Sequence, residues 1–144
     1  MRTSGDVWLL ARVLVVAALV PPLMRLPLAR VCAVVEPAGQ VPLLDLDGER
    51  RVIFLVNFAL EMLQRLVRTT CLTRGITRYY FLRRAGVDVS LAFGIAQPSI
   101  AGVAGHCWLV RDGEPFLETS DPRPMFTEVY RISPSPARVS VAAC

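Results

Sequence analysis

Hydrophobic residues are distributed in distinct patterns along the chain. From Val7 to Met24 almost every position is apolar, VWLLARVLVVAALVPPLM, interrupted by Arg12 and the Pro21–Pro22 pair. The clean run from Val13 to Val20 is too short to cross a bilayer by itself. Three readings stay open: a helix packed on the domain or lying in a membrane interface, a transmembrane anchor that tolerates Arg12 and the prolines, and a signal peptide whose apolar core Arg12 would spoil. The next stretch, MRLPLARV, sets basic residues among leucines, as suits an interfacial helix. Residues 36–50, EPAGQVPLLDLDGER, hold two Pro and two Gly and read as a linker with a short strand over Val41–Leu46.

The pattern changes after the linker. From Glu49 to Arg68, apolar residues recur at Val52, Leu55, Val56, Ala59, Leu63, Leu66 and Val67 with no Pro or Gly between, which predicts a helix. Thr69–Thr70 then precedes CLTRGITRYYFLRR. Threonine is a good N-cap, so a second helix is expected to open at Cys71 and stop at Ala85–Gly86. In VDVSLAFGI the apolar residues Val87, Val89, Leu91, Phe93 and Ile95 alternate with small or polar ones, the period of a half-buried strand. Gln97–Gly105 reads as a loop, and HCWLVRDGEPFLE as a hairpin about Asp112–Gly113. From Pro122 onward the frequent prolines predict mostly irregular chain. The expected organisation is an apolar helical segment over 1–35, a linker over 36–48, a catalytic domain over 49–130 and an irregular tail over 131–144. Helix, helix, strand and hairpin together define an α+β fold.

Composition narrows the function. With 144 residues there is room for one domain with a modest core. Mean hydropathy is +0.47, high for a purely soluble domain, which points to contact with a membrane or a partner. The net charge of +4 comes from scattered arginines without interleaved aromatics, so no nucleic-acid partner is expected. Cys32, Cys71, Cys107 and Cys144 are sparse and form no C-x-x-C pair, which fits reduced thiols in a cytoplasmic protein better than a disulfide framework. A zinc site would need four ligands, and Cys71, His106 and Cys107 find no fourth at useful spacing. No cofactor or metal is therefore expected.

The candidate chemistry lies in one thiol and the single histidine. A cysteine at a helix start meets unpaired N–H groups and the positive end of the helix dipole, which favour thiolate over thiol. The same N–H groups suit an oxyanion. His106 falls at the start of a strand, with Trp108 on its face and Cys107 and Leu109 on the other. A two-residue turn at Asp112–Gly113 would set His106 opposite Thr119. A three-residue turn at Arg111–Gly113 would set it opposite Glu118 and Trp108 opposite Phe116. The second register is preferred because it pairs the aromatics and puts a carboxylate beside the imidazole. Cys71 is thus the candidate nucleophile, His106 the base and Glu118 the orienting carboxylate, with Asp121 as the fallback orienting group.

TTCLTRG opening a helix, LRRAGV closing it, an alternating strand and then H-C-W-L-V-x-D-G-E-P together resemble the transglutaminase-like peptidases of lasso-peptide biosynthesis. The resemblance covers Arg50 to Glu118. It implies a papain/transglutaminase-like core, with the nucleophile at a helix N-terminus packed on a small antiparallel sheet. It also implies a Cys–His–Asp triad in which Cys71 and His106 match, while Glu118 falls where the family usually has Asp. The implied activity removes the leader from a ribosomally made precursor peptide. The implied partners are that precursor, a leader-recognition protein and an ATP-dependent cyclase, in the cytoplasm or at the inner face of the cell membrane. The Glu118 departure keeps a second class in view: a non-catalytic or acyl-transferring protein that serves as a peptide-binding or membrane-bound scaffold.

Overall fold

A computed structural model of the chain describes residues 4–35, 46–66, 69–97 and 105–133. Among them are four helices followed by four strands in one antiparallel sheet, an α+β fold. The chain divides into two compact units, Met1–Val87 and Asp88–Cys144, at the change from helical to strand patterning.

In the first unit, α1 runs from Ser4 to Leu23, straight through Pro21 and Pro22. The prolines remove two ladder bonds, but Met24 N–H still reaches Val20 O at 2.9 Å and closes the last turn. Val13, Ala17 and Val20 are buried at 3–4 spacing, one stripe of the helix. Val13 and Ala17 join Val56, Ala59 and Leu60 of α3 (Leu46–Leu66) and Phe81 of α4 (Cys71–Arg84) in one apolar cluster. Each larger member of that cluster contributes about 1.5–3 kcal/mol by leaving water. The opposite side of α1 is also apolar, and Val7, Trp8, Val15 and Leu19 stand exposed there. By length and composition α1 would cross a membrane, a weak criterion that packed helices and signal sequences also meet. Between α1 and α3 comes the short α2 (Leu28–Val35), with Val31 and Val35 buried and Arg30 exposed.

A partly buried ion pair joins α1 to α3. Asp6, in the first turn of α1, accepts from Arg51 Nη2 at 2.6 Å and from Arg51 Nε at 2.9 Å. The carboxylate is buried while the guanidinium is half exposed, so the cation keeps much of its hydration.

Several expectations need correction here. α3 begins at Leu46 instead of Glu49, so the last residue of the expected strand Val41–Leu46 is helical; residues 36–45, with the rest of that strand, lie outside the described residues. Leu66, expected on the buried face of α3, is 81% exposed, and residues 67–68 lie outside the described residues. Phe54, Phe58 and Met62 form a further exposed stripe, with the two rings stacked at 6.1 Å.

The second unit is a sheet in the order β3-β2-β1-β4, made of β1 (Ser90–Ala96), β2 (Gly105–Arg111), β3 (Glu114–Phe116) and β4 (Phe126–Ile132). β4 contradicts the irregular chain expected from Pro122 onward. Phe126 and Ile132, its two ends, are buried, and all along its length it pairs with β1. Strand β1 also differs from expectation. Ile95, expected on the buried face, is 53% exposed, whereas the small residue Ala92 packs with Trp108, Val110 and Phe126. Residues 98–104 of the expected loop lie outside the described residues.

Replacing Arg51 with Met should lower the unfolding free energy by about 1.5–3 kcal/mol, because a buried carboxylate loses two charge-assisted hydrogen bonds. Urea denaturation reads this as a lower midpoint at unchanged slope. An unmoved midpoint would show that Asp6 is held by other groups.

Candidate functional site

Cys71 is the first residue of α4, and local sequence defines that start closely. Thr70 is extended, with φ −81° and ψ 164°, and its Oγ1 accepts from Thr73 N–H at 3.3 Å, an N-cap. First-turn N–H groups have no carbonyl partner inside a helix, and Thr70 Oγ1 takes that of Thr73. The other end is equally well specified. Gly86 adopts φ +80°, Gly86 N–H bonds Arg83 O at 3.1 Å, and Val87 N–H bonds Leu82 O at 2.9 Å. These two bonds form a Schellman motif, in which the left-handed residue favours glycine. The Cys71 thiol is partly exposed and not disulfide-bonded.

His106 is built into the sheet of the second unit, on β2 opposite Gly94 of β1. Its ring stacks on Trp108 at 6.0 Å with 19° between planes, and packs against Phe126 at 5.1 Å. Trp108 is 1% exposed, so the ring beneath the imidazole is itself fixed by the core. Gly94 makes this possible. A Cβ there would lie 2.8 Å from the Trp108 ring and 3.0 Å from Phe126 Cβ, closer than side-chain carbons pack. Beside this position the β1–β4 register shifts: Phe93 pairs with Tyr130 but Gly94 with Glu128, which leaves Val129 as the extra residue of a bulge.

Glu118 meets His106, but not through the expected register. Arg111 pairs with Glu114 and Leu109 with Phe116, so the turn is the two residues Asp112–Gly113. Both have positive φ, 52° and 82°, as a type I′ turn requires. Trp108 therefore does not face Phe116, whose ring instead lies 5.3 Å from the Arg111 guanidinium. Had β3 continued, Thr119 would have come opposite His106. It ends at Phe116, Leu117 turns left-handed at φ 59°, and His106 Nε2 donates to Glu118 Oε2 at 3.2 Å. A carboxylate only accepts, so in a neutral imidazole this bond assigns the ring proton to Nε2 and the lone pair to Nδ1. Both side chains are largely buried, at 25% and 19% exposure, where a hydrogen bond is less diluted by water.

Asp121, the fallback orienting group, is engaged elsewhere. Arg123 binds it through Nε at 2.9 Å and through its backbone N–H at 2.9 Å, and reaches Glu114 Oε2 at 2.7 Å. Those bonds from Arg123 hold the Asp121 carboxyl below the usual carboxylate range. Arg123 thereby ties the start of β3 to the segment just past Glu118. Cys71 belongs to the first unit, and His106 and Glu118 to the second.

An open groove on α3, lined by Arg50, Ile53, Phe54, Asn57, Phe58 and Glu61, contains none of these groups. Its stripe of aromatics was visible in the sequence only as an i, i+4 pair on the face left over by the core positions. Among the described residues no cluster of three or more His, Cys, Asp or Glu is arranged to hold a metal ion.

A capped helix opened by a thiol is followed in the chain by a strand that carries the histidine beside a carboxylate. The family described as the transglutaminase-like superfamily matches residues 8–131. The chain belongs to the transglutaminase-like superfamily. Comparison with curated proteins gives no match, and comparison with solved structures gives none. The family match extends over most of α1, all of α2 and nearly all of β4, which lie outside the resemblance over Arg50–Glu118.

Gly94→Ala should destabilise the protein by about 1–3 kcal/mol through overpacking. It should also shift the His106 ring signals in a proton–carbon NMR spectrum; unchanged His106 shifts would mean the imidazole does not depend on where Trp108 lies.

Arg123→Gln should return the Asp121 titration, followed by carboxyl-carbon NMR, to its ordinary value of about 3.9. The sign follows from the depressed native value: the pair stabilises the fold above the unfolded-state value and ceases to as pH falls through the native one. A titration that stays low in the variant would assign the shift to a group other than Arg123.

Proposed function

We propose that this transglutaminase-like protein is a cysteine peptidase that removes the leader from a ribosomally made precursor peptide of lasso type. The observation that carries the reading is the hydrogen bond from His106 Nε2 to Glu118, with the ring stacked on Trp108. That bond fixes one tautomer and directs the basic nitrogen, Nδ1, away from the carboxylate. The superfamily includes cysteine peptidases, and Cys71 opens a capped helix in the manner a nucleophilic thiol requires.

The proposed chemistry is short. His106 Nδ1 takes the proton from Cys71 Sγ, and the thiolate attacks the scissile carbonyl carbon. N–H groups at the start of α4 hydrogen-bond the oxyanion. The imidazolium gives its proton to the leaving amine, the new N-terminus of the core peptide. Water then attacks the thioester, His106 takes its proton, and the leader leaves as a carboxylic acid. Glu118 acts through His106 by holding the ring and offsetting the charge of the imidazolium. Its longer side chain does the work an aspartate does in relatives, from a position the shortened β3 makes available.

Mass spectrometry of candidate precursor peptides, with their leader-recognition protein present, tests this directly. Cys71→Ala should abolish cleavage and His106→Ala should slow it by about 10²–10⁴-fold. Glu118→Gln should slow it less than His106→Ala. Normal cleavage by the Cys71→Ala variant would remove the peptidase reading. Iodoacetamide alkylation of Cys71 across pH should show thiolate reactivity that weakens in His106→Ala; an ordinary titration indifferent to His106 would favour the non-catalytic scaffold. Hydroxylamine capturing the acyl group in place of water would separate transfer from hydrolysis.

A further inference from the structure

We infer that the outward face of α1 is a docking surface for an anionic lipid bilayer, with the helix lying flat in the headgroup layer. The inference is independent of the peptidase reading.

An ordinary surface helix is apolar on one stripe and polar on the other, but beyond its first turn α1 has Arg12 as its single charged residue and is apolar on both sides. Val13, Ala17 and Val20 supply the buried stripe. On the opposite side Trp8 is 64% exposed, and Val15 and Leu19 each 58%. Trp8, Arg12, Val15 and Leu19 recur at spacings of four, three and four, so they share one strip along the helix in which Arg12 is the single charged member.

Charge selects the occupant. From Val7 to Val35 the chain has no carboxylate, and its charged residues are Arg12, Arg25 and Arg30. Asp6, just before this stretch, is buried and ion-paired with Arg51. Arg12 lies over the Trp8 ring at 4.7 Å, so the strip carries its own cation, folded against its aromatic member. Arg25 and Arg30 are exposed at and just beyond the far end of α1. Apolar side chains edged by arginine alone, with a tryptophan among them, match the boundary between acyl chains and anionic headgroups. A protein partner gains nothing from the absence of acidic residues unless it is itself acidic.

The same contacts exclude a spanning helix in the folded protein. Crossing a bilayer would strip Val13 and Ala17 from α3 and α4 and separate Asp6 from Arg51. The flat orientation keeps all of these contacts and covers only the face they leave open.

The test uses the full chain and vesicles of phosphatidylcholine with ~30% phosphatidylglycerol, the anionic lipid that supplies the surface charge. Co-sedimentation is expected, together with quenching of Trp8 by acyl-brominated lipid that is lost in Trp8→Phe. Leu19→Glu should release the protein; Leu19 is exposed, and far-UV circular dichroism checks that the helix persists. Arg25→Gln and Arg30→Gln should each weaken binding roughly fivefold, and added salt should weaken it further. No sedimentation, or sedimentation unaffected by Leu19→Glu, would overturn the proposal. So would a solution dimer that Leu19→Glu dissolves, since that would assign the strip to a second copy of the chain.

Discussion

Trp108 lies across the backbone of β1 at the one position where no side chain blocks it. Much of the second unit is arranged around that close approach. Gly94 provides the opening, Ala92 keeps the neighbouring position small, and Phe126 closes the pocket from β4. The imidazole of His106 is then stacked against a surface that cannot move without breaking the core. A loop histidine would keep several rotamers; this one has an aromatic ring beneath it, another beside it and a carboxylate at its edge. The orientation of the imidazole is therefore a property of the folded sheet.

The helical unit prepares its contribution by other means. Thr70 and the Gly86 turn set the two ends of α4, and the cluster shared with α1 and α3 holds its middle. The start of α4 is therefore determined by local hydrogen bonds to within a residue, and with it the position of the thiol. Thiol and imidazole thus depend on different forces: capping and helix packing for one, aromatic burial in a sheet for the other.

Much of this was legible in the sequence, and the failures have physical causes. α4 was readable at both ends because capping is local: Thr70, Cys71 and Gly86 carry their information within a few residues. The turn residues Asp112 and Gly113 were readable too, but their number was not, because both turn lengths place Gly113 at a left-handed position. Pairing the two aromatics chose the longer turn, whereas Trp108 finds its partner in Gly94, across the sheet instead of along the hairpin. That approach is long-range, and a small residue in a strand gives no hint of which ring will cover it. The Glu118 contact was reached by a different path, since a left-handed Leu117 has no sequence signature of its own. β4 was missed because prolines lie on either side of FTEVYRI and the bulge at Val129 interrupts its alternation, so only its two ends are buried. The ion pair of Asp6 with Arg51, 45 residues apart, could not be read at all.

The shortness of β3 has a consequence beyond the position of Glu118. It is an outer strand of the sheet, and outer strands offer unpaired backbone groups to any other chain that is extended. Three residues make a poor template, and the middle one is Pro115, which has no N–H to give. Directly after it, the left-handed Leu117 bends the chain out of line. A concentrated or partly unfolded population of this protein would find little purchase there for edge-to-edge growth. The interruption that brings a carboxylate to the histidine also protects that side of the sheet from amyloid-like pairing.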